Sequence, residues 1–374
     1  MKIAIDARTI IDPRGIGYFL YNAIIALAKN NPDWQFILFS HSAINSKMNC
    51  DFKKFDNISI FIIPAFIFSK NGLFWFVFKY PRAINSLKPD IIWAPATFFP
   101  PFVKIKAVKL CTVHDLVYKN FRHIMSLKHK IISMLFMDSS INNADKLWAV
   151  SHYTATLIKK YYPQRKSKKI IEGSSINMDQ YKRIKVNEKE RYDLLQKLGV
   201  NLNKKILIFV GTLEPRKNIK FLLNLMVILA NKDFELIIVG GKGWGKTEIK
   251  NIVEKKGYPK RAVHFAGYLG CDELLKLYNI VDCFVSTSLN EGFGLPQLEA
   301  MACKIPVVSA KNSAVEEIVG DAGVLVEGWD FNNWVEKIQW AVEHRANIIQ
   351  RYDKQLQKYD WLQIAERVSG FIKS

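Results

Sequence analysis

Cysteine is scarce in this chain. The five that occur, Cys50, Cys111, Cys271, Cys283 and Cys303, are scattered, with no Cys-x-x-Cys pair. That argues against a disulfide framework or a cysteine metal site and leads us to expect reduced thiols in a cytoplasmic protein. No apolar run reaches the length of a bilayer span, so no membrane-crossing helix is expected. The chain opens MKIAID, which reads as a strand rather than an apolar leader core, so no secretory leader is expected. No internal repeat or low-complexity linker interrupts the sequence. Negative charge is also in short supply: 54 Lys and Arg against 34 Asp and Glu leave +20. The imbalance is uneven, with 25 basic and 10 acidic residues in 1–175 and 29 and 24 in the remainder. An anionic partner would answer such a face, whether nucleic acid, an acidic membrane or a phosphorylated substrate. Solvated lysines of a Lys-rich composition account for part of it equally well. No nucleic-acid-binding motif or aromatic-interleaved basic platform accompanies the charge, so nucleic acid is not expected.

The chain has 374 residues, 49% of them hydrophobic, enough for two domains with separate cores. Strand and helix patterns alternate throughout, the signature of parallel sheets with crossover helices. KIAIDA (2–7), QFILFS (35–40), ISIFII (58–63), DIIWAP (90–95), VKLCTVHD (108–115) and KLWAVS (146–151) read as one strand set, with an amphipathic helix over 18–30. A basic stretch, PQRKSKK (163–169), precedes a junction near 172–190. A second set begins at KKILIFVG (204–211) and runs through FELIIVGG (234–241), AVHFAG (262–267) and VDCFVS (281–286). The predicted domains are 1–175 and 176–357, each Rossmann-like, followed by an amphipathic helix within 358–374.

The segment STSLNEGFGLPQLEAMACKIPVVSA (286–310) carries the most chemistry. A buried strand runs into a glycine-rich turn, then a short helix, then another strand, and Pro296 suits the first helical position. The turn delivers a helix N-terminus to the carboxyl edge of a parallel sheet, where free amides favour an anion. Glycine at 292 and 294 lets backbone approach a ligand. Glu291 and Glu299 flank the turn, and carboxylates suit hydroxyl groups rather than phosphate. Anion-binding amides at the centre with hydroxyl-binding carboxylates at the edges fit a nucleotide sugar. A second site, VGTLEPRKN (210–218), ends the first strand of the second set. Its Arg216 and Lys217 can neutralise a diphosphate and stabilise the charge that builds as a sugar leaves it.

With Glu, seven residues, Glu in EGFGLPQLE (291–299) and the match of GTLEPRKN, the chain resembles the retaining GT-B glycosyltransferases of family four over nearly its whole length. The resemblance implies an α/β GT-B fold, two Rossmann-like domains facing a central cleft, with the last helix joined to the N-terminal domain. It implies catalytic roles for His114, Arg216, Lys217 and Glu291. It implies donor contacts from Gly211, Arg216, Lys217, Gly240, Glu291, Phe293, Gly294, Leu295 and Glu299, with Glu299 on the ribose and Glu291 on the sugar hydroxyls. Tyr268 and Leu269, after the strand at 262–267, are its candidates for the nucleobase. Gly15 and Gly17, in RTIIDPRGIGYFLYN (8–22), are read as a loop allowing close backbone approach to the donor. Relatives carry an Arg in the following helical turn where this chain has Tyr18 and Phe19. Asp115 is expected to orient His114 or nearby backbone, and Ser151 and Thr154 to cap the helix that follows them.

The resemblance further implies transfer of a hexose from a nucleoside diphosphate sugar to a saccharide or lipid-linked acceptor, with no cofactor and no covalent nucleophile. The variant motifs are similar to bacterial mannosyl- and rhamnosyltransferases of surface-polysaccharide synthesis, which favours a GDP-sugar such as GDP-mannose. Asp-x-Asp, the metal-holding pair of the other large glycosyltransferase fold, occurs nowhere in the chain, so metal independence is expected. A rival reading comes from GGKGWGKT (240–247), which satisfies the P-loop pattern and would place Lys246 on a triphosphate and Thr247 on magnesium. That would make the chain an NTPase or kinase. Finally, FIFSKNGLFWFVFKYPR (66–82) and SLKHKIISMLFM (126–137) mix aromatic and apolar residues with Lys70, Lys79, Arg82, Lys128, His129 and Lys130. They either fill the N-terminal core or dock the protein on the anionic inner face of a plasma membrane.

Overall fold

A computed structural model describes residues 1–65, 72, 74–100, 106–120, 136–165, 169–243 and 248–374. The chain divides into two compact units, 1–176 with 359–374, and 177–358. In the first, strands β1 (Lys2–Asp6), β2 (Gln35–Ser40), β3 (Ile58–Ile62), β4 (Ile91–Ala94), β5 (Val108–Val113), β6 (Lys146–Ala149) and β7 (Ile170–Glu172) form a parallel sheet ordered β3-β2-β1-β4-β5-β6-β7. Its central strand, β4, is apolar along its whole length because a parallel sheet with helices on both faces has no wet side. All four residues of β4 are buried. Trp93 on β4 and Trp148 on β6 stack at 5.4 Å across the intervening β5, and each indole N–H is satisfied, by Thr112 Oγ1 and by the Gly173 carbonyl, both at 2.8 Å.

The helix Gly15–Asn30 buries Phe19, Leu20, Ala23, Ile24 and Leu27, a stripe at helical spacing. The terminal helix Trp361–Lys373 packs against it, and Ser369 Oγ accepts from Asn31 Nδ2 at 2.7 Å. The first helix starts three residues earlier than its apolar pattern suggested. Gly15 and Gly17 are therefore in its first turn and not in a preceding loop. Gly17 has its own structural reason: a Cβ there would sit 2.3 Å from the Thr9 carbonyl oxygen. The aromatic segment 66–82 divides. Trp75, Phe76 and Tyr80 are core residues, whereas Phe74 and Phe78 are exposed with ring centroids 4.7 Å apart. Residues 66–71, 73 and 121–135, including Lys70, Lys128, His129 and Lys130, lie outside the described residues.

The second unit holds β8 (Lys205–Val210), β9 (Phe234–Val239), β10 (Val263–Gly267), β11 (Cys283–Ser286), β12 (Val307–Ala310) and β13 (Val324–Val326), all parallel and ordered β10-β9-β8-β11-β12-β13. This is the Rossmann strand order, and it reverses between β8 and β11. The loops leaving those two strands therefore lie side by side at the carboxyl edge of the sheet. The segments around Arg216 and Glu291 are those two loops.

Candidate active site

After β8 the chain makes a tight turn, Pro215–Lys217, and Asn218 takes a left-handed conformation (φ 51°) before the helix Ile219–Leu229. After β11 it runs through 287–294 into the helix Leu295–Ala302, with Pro296 at the second helical position instead of the first. Two contacts lock the loops together: Leu289 N–H donates to the Arg216 carbonyl at 2.8 Å, and Thr287 Oγ1 donates to the Lys217 carbonyl at 3.2 Å. Backbone contacts between the loops thus set where the charged side chains meet.

Glu291 is buried and accepts from both cations. Lys217 Nζ lies 2.5 Å from its Oε1 and Arg216 Nη1 lies 2.7 Å from its Oε2. Arg216 also donates to the Asn290 carbonyl at 2.6 Å and, through Nη2 and Nε, to Glu214 Oε1 at 2.6 and 2.9 Å. Burial favours a protonated Glu291, but Lys217 and Arg216 outweigh it and hold the carboxyl down at about 2. Burial also pushes Lys217 below the usual lysine range, with Glu291 opposing. The backbone of Glu291 is fixed from a third loop. Its N–H donates to Ser313 Oγ at 2.9 Å, Ser313 donates to Asn312 Oδ1 at 2.8 Å, and Asn312 Nδ2 reaches the Ser288 carbonyl at 3.0 Å. Ser313 does this from a left-handed conformation (φ 52°). Glu214, Asn312 and Ser313 were not singled out from sequence. Glu214 sits inside a recognised motif, but nothing in the spacing of Asn312 and Ser313 signals them.

Glu299, eight positions on, has a different environment. Its Oε2 accepts from Tyr278 OH at 2.9 Å, and the Tyr181 phenol adds to the pull toward the ionised form. Burial pushes this carboxyl up to about 7, the two phenols pulling the other way. The motif thus holds one carboxylate tied to cations and one tied to tyrosines. Phe293 and Gly294 are buried in the turn between them, and Leu295 opens the helix.

The carboxyl ends of β8, β9 and β10 are stitched together by Gly211 N–H to the Val239 carbonyl (2.9 Å) and Gly240 N–H to the Gly267 carbonyl (2.7 Å). A Cβ on Gly240 would fall 2.0 Å from the Gly211 carbonyl oxygen, so only glycine fits. Tyr268, exposed, and Leu269 follow β10 at the edge of the sheet. The same bonds speak against a P-loop. The amides of Gly240 and Gly243 donate to the carbonyls of Gly267 and Leu213 (3.0 Å) rather than lining a phosphate cradle. Lys246 and Thr247 lie outside the described residues.

In the first unit His114 follows β5. Its Nε2 donates to the Pro95 carbonyl at 2.7 Å, which leaves Nδ1 as the lone-pair nitrogen, and burial holds its pKa below the usual histidine value. Phe19 meets the ring edge-on at 4.9 Å. Asp115 Oδ1 accepts from Val117 N–H at 3.2 Å and Ser151 caps its helix through Thr154 N–H at 3.0 Å. Among the described residues, no group of three His, Cys, Asp or Glu side chains is arranged to hold a metal ion.

The family model for glycosyl transferases group 1 matches residues 190–359, and that for glycosyltransferase family 4 matches 13–171. O-antigen chain mannosyltransferase B of Escherichia coli is 38% identical over 123 residues, 32% of this chain and 32% of that protein. O-antigen chain mannosyltransferase RfbU of Salmonella typhimurium is 24% identical over 341 residues, 88% of this chain and 89% of RfbU. Matches to the first curated relatives thus span well under two thirds of their length, 32%, 55% and 31% for three of them. Among solved structures, sucrose-phosphate synthase from Thermosynechococcus elongatus superimposes with a TM-score of 0.75 at 18% identity, covering 100% of this chain and 98% of that one. That likeness shows the fold, two Rossmann-like domains of GT-B type.

Proposed function

The chain belongs to the group 1 glycosyltransferases, with a family 4 N-terminal domain, and on that premise we propose that it transfers a hexose, mannose by preference, from a nucleoside diphosphate sugar to a saccharide or lipid-linked acceptor. GDP-mannose is the donor we favour, and surface-polysaccharide assembly the setting, by analogy with the O-antigen mannosyltransferases. The observation that carries the reading is the convergence of Arg216, Lys217 and Glu291 at the reversal point of the second sheet. Two cations beside a helix N-terminus suit a diphosphate, and a carboxylate within their reach suits the sugar it carries.

In this mechanism Arg216 and Lys217 stabilise the negative charge that grows on the departing diphosphate, which is transition-state stabilisation rather than uniform binding. Glu291, ionised at every physiological pH, accepts from the sugar hydroxyls while its two cation contacts hold it in place. Glu299 accepts from the ribose hydroxyls, and a role for His114 rests on the family resemblance. The bond from the anomeric carbon to the diphosphate breaks, the acceptor oxygen bonds to that carbon on the same face, and the diphosphate takes the acceptor's proton. Configuration is retained without a covalent nucleophile. The cations do the work that a divalent metal does elsewhere, so we propose metal independence. Thermal-shift screening against GDP-, UDP- and dTDP-sugars tests the donor, since ligand bound only by the folded state raises Tm by mass action. Stabilisation by none of the three would refute the reading.

We also propose that the protein acts in the cytoplasm at the inner face of the plasma membrane, docked through its first unit. Support comes from the charge excess of 1–175 and from Phe74 and Phe78, which are exposed beside Lys79 and Arg82. No helix among the described residues is long and apolar enough to cross a membrane. Co-sedimentation with phosphatidylglycerol vesicles at low salt, lost at high salt and with neutral lipid, is expected. No sedimentation at low salt would exclude docking.

A further inference from the structure

Among the described residues Glu299 forms no salt bridge, and the phenols that act on it come from two separate segments. Tyr278 lies on the helix Cys271–Ile280, fully buried, and donates to Glu299 Oε2 at 2.9 Å. Tyr181 lies far away in sequence, at the start of the second unit, and meets the Tyr278 ring edge-on at 6.2 Å, and its phenol, like that of Tyr278, favours the ionised form of Glu299. The Glu299 charge also acts on the Cys303 thiol, and Arg183 acts on that thiol in the opposite direction.

Tyr181 is brought there by a buried clamp. Asn279, next to Tyr278, donates through Nδ2 to the Lys182 carbonyl at 3.1 Å and accepts Ile184 N–H on Oδ1 at 2.9 Å. Arg183 Nη1 adds a bond to the Asn279 carbonyl at 3.3 Å. Upstream, Asn177 Oδ1 takes the N–H groups of Asp179 and Gln180 at 3.0 and 3.2 Å and shapes the turn that ends at Tyr181. A segment with no regular structure is therefore held by side chains so that a second phenol packs on Tyr278 beside Glu299.

We propose that Tyr278 and Tyr181 are positioning residues for nucleotide recognition, orienting the Glu299 carboxylate and favouring its acceptor form for the vicinal hydroxyls of a ribose. The inference rests on the donor-binding role proposed for Glu299 above. A buried carboxyl without a cation tends to keep its proton, and a protonated carboxyl offers a donor where the diol needs an acceptor. Phenol donors oppose protonation without the full charge of a Lys or Arg, which would compete with the ribose for the same lone pairs.

The test is isothermal titration from about pH 6 to about pH 9 with whichever of GDP-mannose, UDP-glucose and dTDP-rhamnose binds best, since sugar-nucleotide phosphates do not titrate there. Wild-type affinity should rise with pH through neutrality. Tyr278→Phe should weaken binding by roughly fivefold to tenfold at neutral pH, move the rise to higher pH, and converge on wild type at the alkaline end. Tyr181→Phe should act in the same direction. Glu299→Gln should bind weakly with no rise at all. If Tyr278→Phe weakens binding equally at every pH, or not at all, while Glu299→Gln is impaired, the positioning role is wrong and the ribose role stands. If Glu299→Gln binds like wild type, both fall.

Discussion

Glu291 and Lys217 form a buried ion pair, 2.5 Å from Oε1 to Nζ, across 74 positions of sequence. Arg216 takes the other oxygen, so one carboxylate joins both cations of the proposed diphosphate site. The cations are therefore not free charges waiting in a crevice. They are held by the group proposed to touch the sugar, and geometry at one end of the donor constrains geometry at the other.

Removing that carboxylate should separate binding from turnover. Glu291→Ala frees Lys217 and Arg216 from their shared acid, so free nucleoside diphosphate should bind at least as tightly as to wild type. Transfer should fall roughly tenfold to a hundredfold, the worth of one charged hydrogen bond. The variant should also be less stable, by about 3–5 kcal/mol where a buried charge loses its partner. Titration calorimetry, initial rates and a Tm measurement read the three effects; weakened diphosphate binding would contradict the arrangement.

Arg216→Ala and Lys217→Ala should each cut the transfer rate by more than they change selectivity among donor sugars, because their effect falls on the leaving group. Chelation with EDTA should leave the rate intact. Competition assays between sugar nucleotides check the first point, and a strict magnesium or manganese requirement would defeat the second.

The two glutamates should leave opposite marks on stability against pH. Glu291 has its pKa lowered from an ordinary 4.5 to about 2, so its contribution is present above the ordinary value and lost as pH falls toward 2. Glu299 has its pKa raised from 4.5 to about 7, so its contribution is present below the ordinary value and lost as pH rises through neutrality. Stability from this pair should peak between the two windows. Glu299→Gln should flatten the decline on the neutral side and leave the acid limb unchanged, measured as Tm across the range.

The glycine-rich loop after β9 should matter for packing and not for triphosphate chemistry. Gly240→Ala should be severely destabilising, since its Cβ has the Gly211 carbonyl 2.0 Å away, while Gly241→Ala, with nothing within 4 Å, should fold normally. Lys246→Ala should keep sugar transfer within a few-fold of wild type. An ATPase activity abolished by that change would revive the P-loop reading.

Much of the fold was legible because buried parallel strands carry unbroken apolar runs. QFILFS, KILIFV and FELIIV need no alternation to be recognised. The three-residue strands β7 and β13 were not, since three residues carry no periodicity and owe their pairing to a neighbouring strand. Phe74 and Phe76 are two positions apart in one apolar run, yet one is exposed and the other core. No hydropathy value distinguishes them; the turn of the helix does.

The same division runs through the site. Glu, seven residues, Glu and the paired Arg216 and Lys217 were visible in sequence because a glycine-rich turn and a strand end are local features with local signatures. Strand order alone decided that β8 and β11 lie side by side and bring Lys217 to Glu291. A buried Asn279 decided that the segment carrying Tyr181 packs on Tyr278. The chain's own sequence determined which chemical groups the protein possesses and which short segments present them. Which acid meets which cation, and which carboxylate meets a phenol, was decided by tertiary structure, because pairing between distant residues depends on backbone positions that no local pattern encodes.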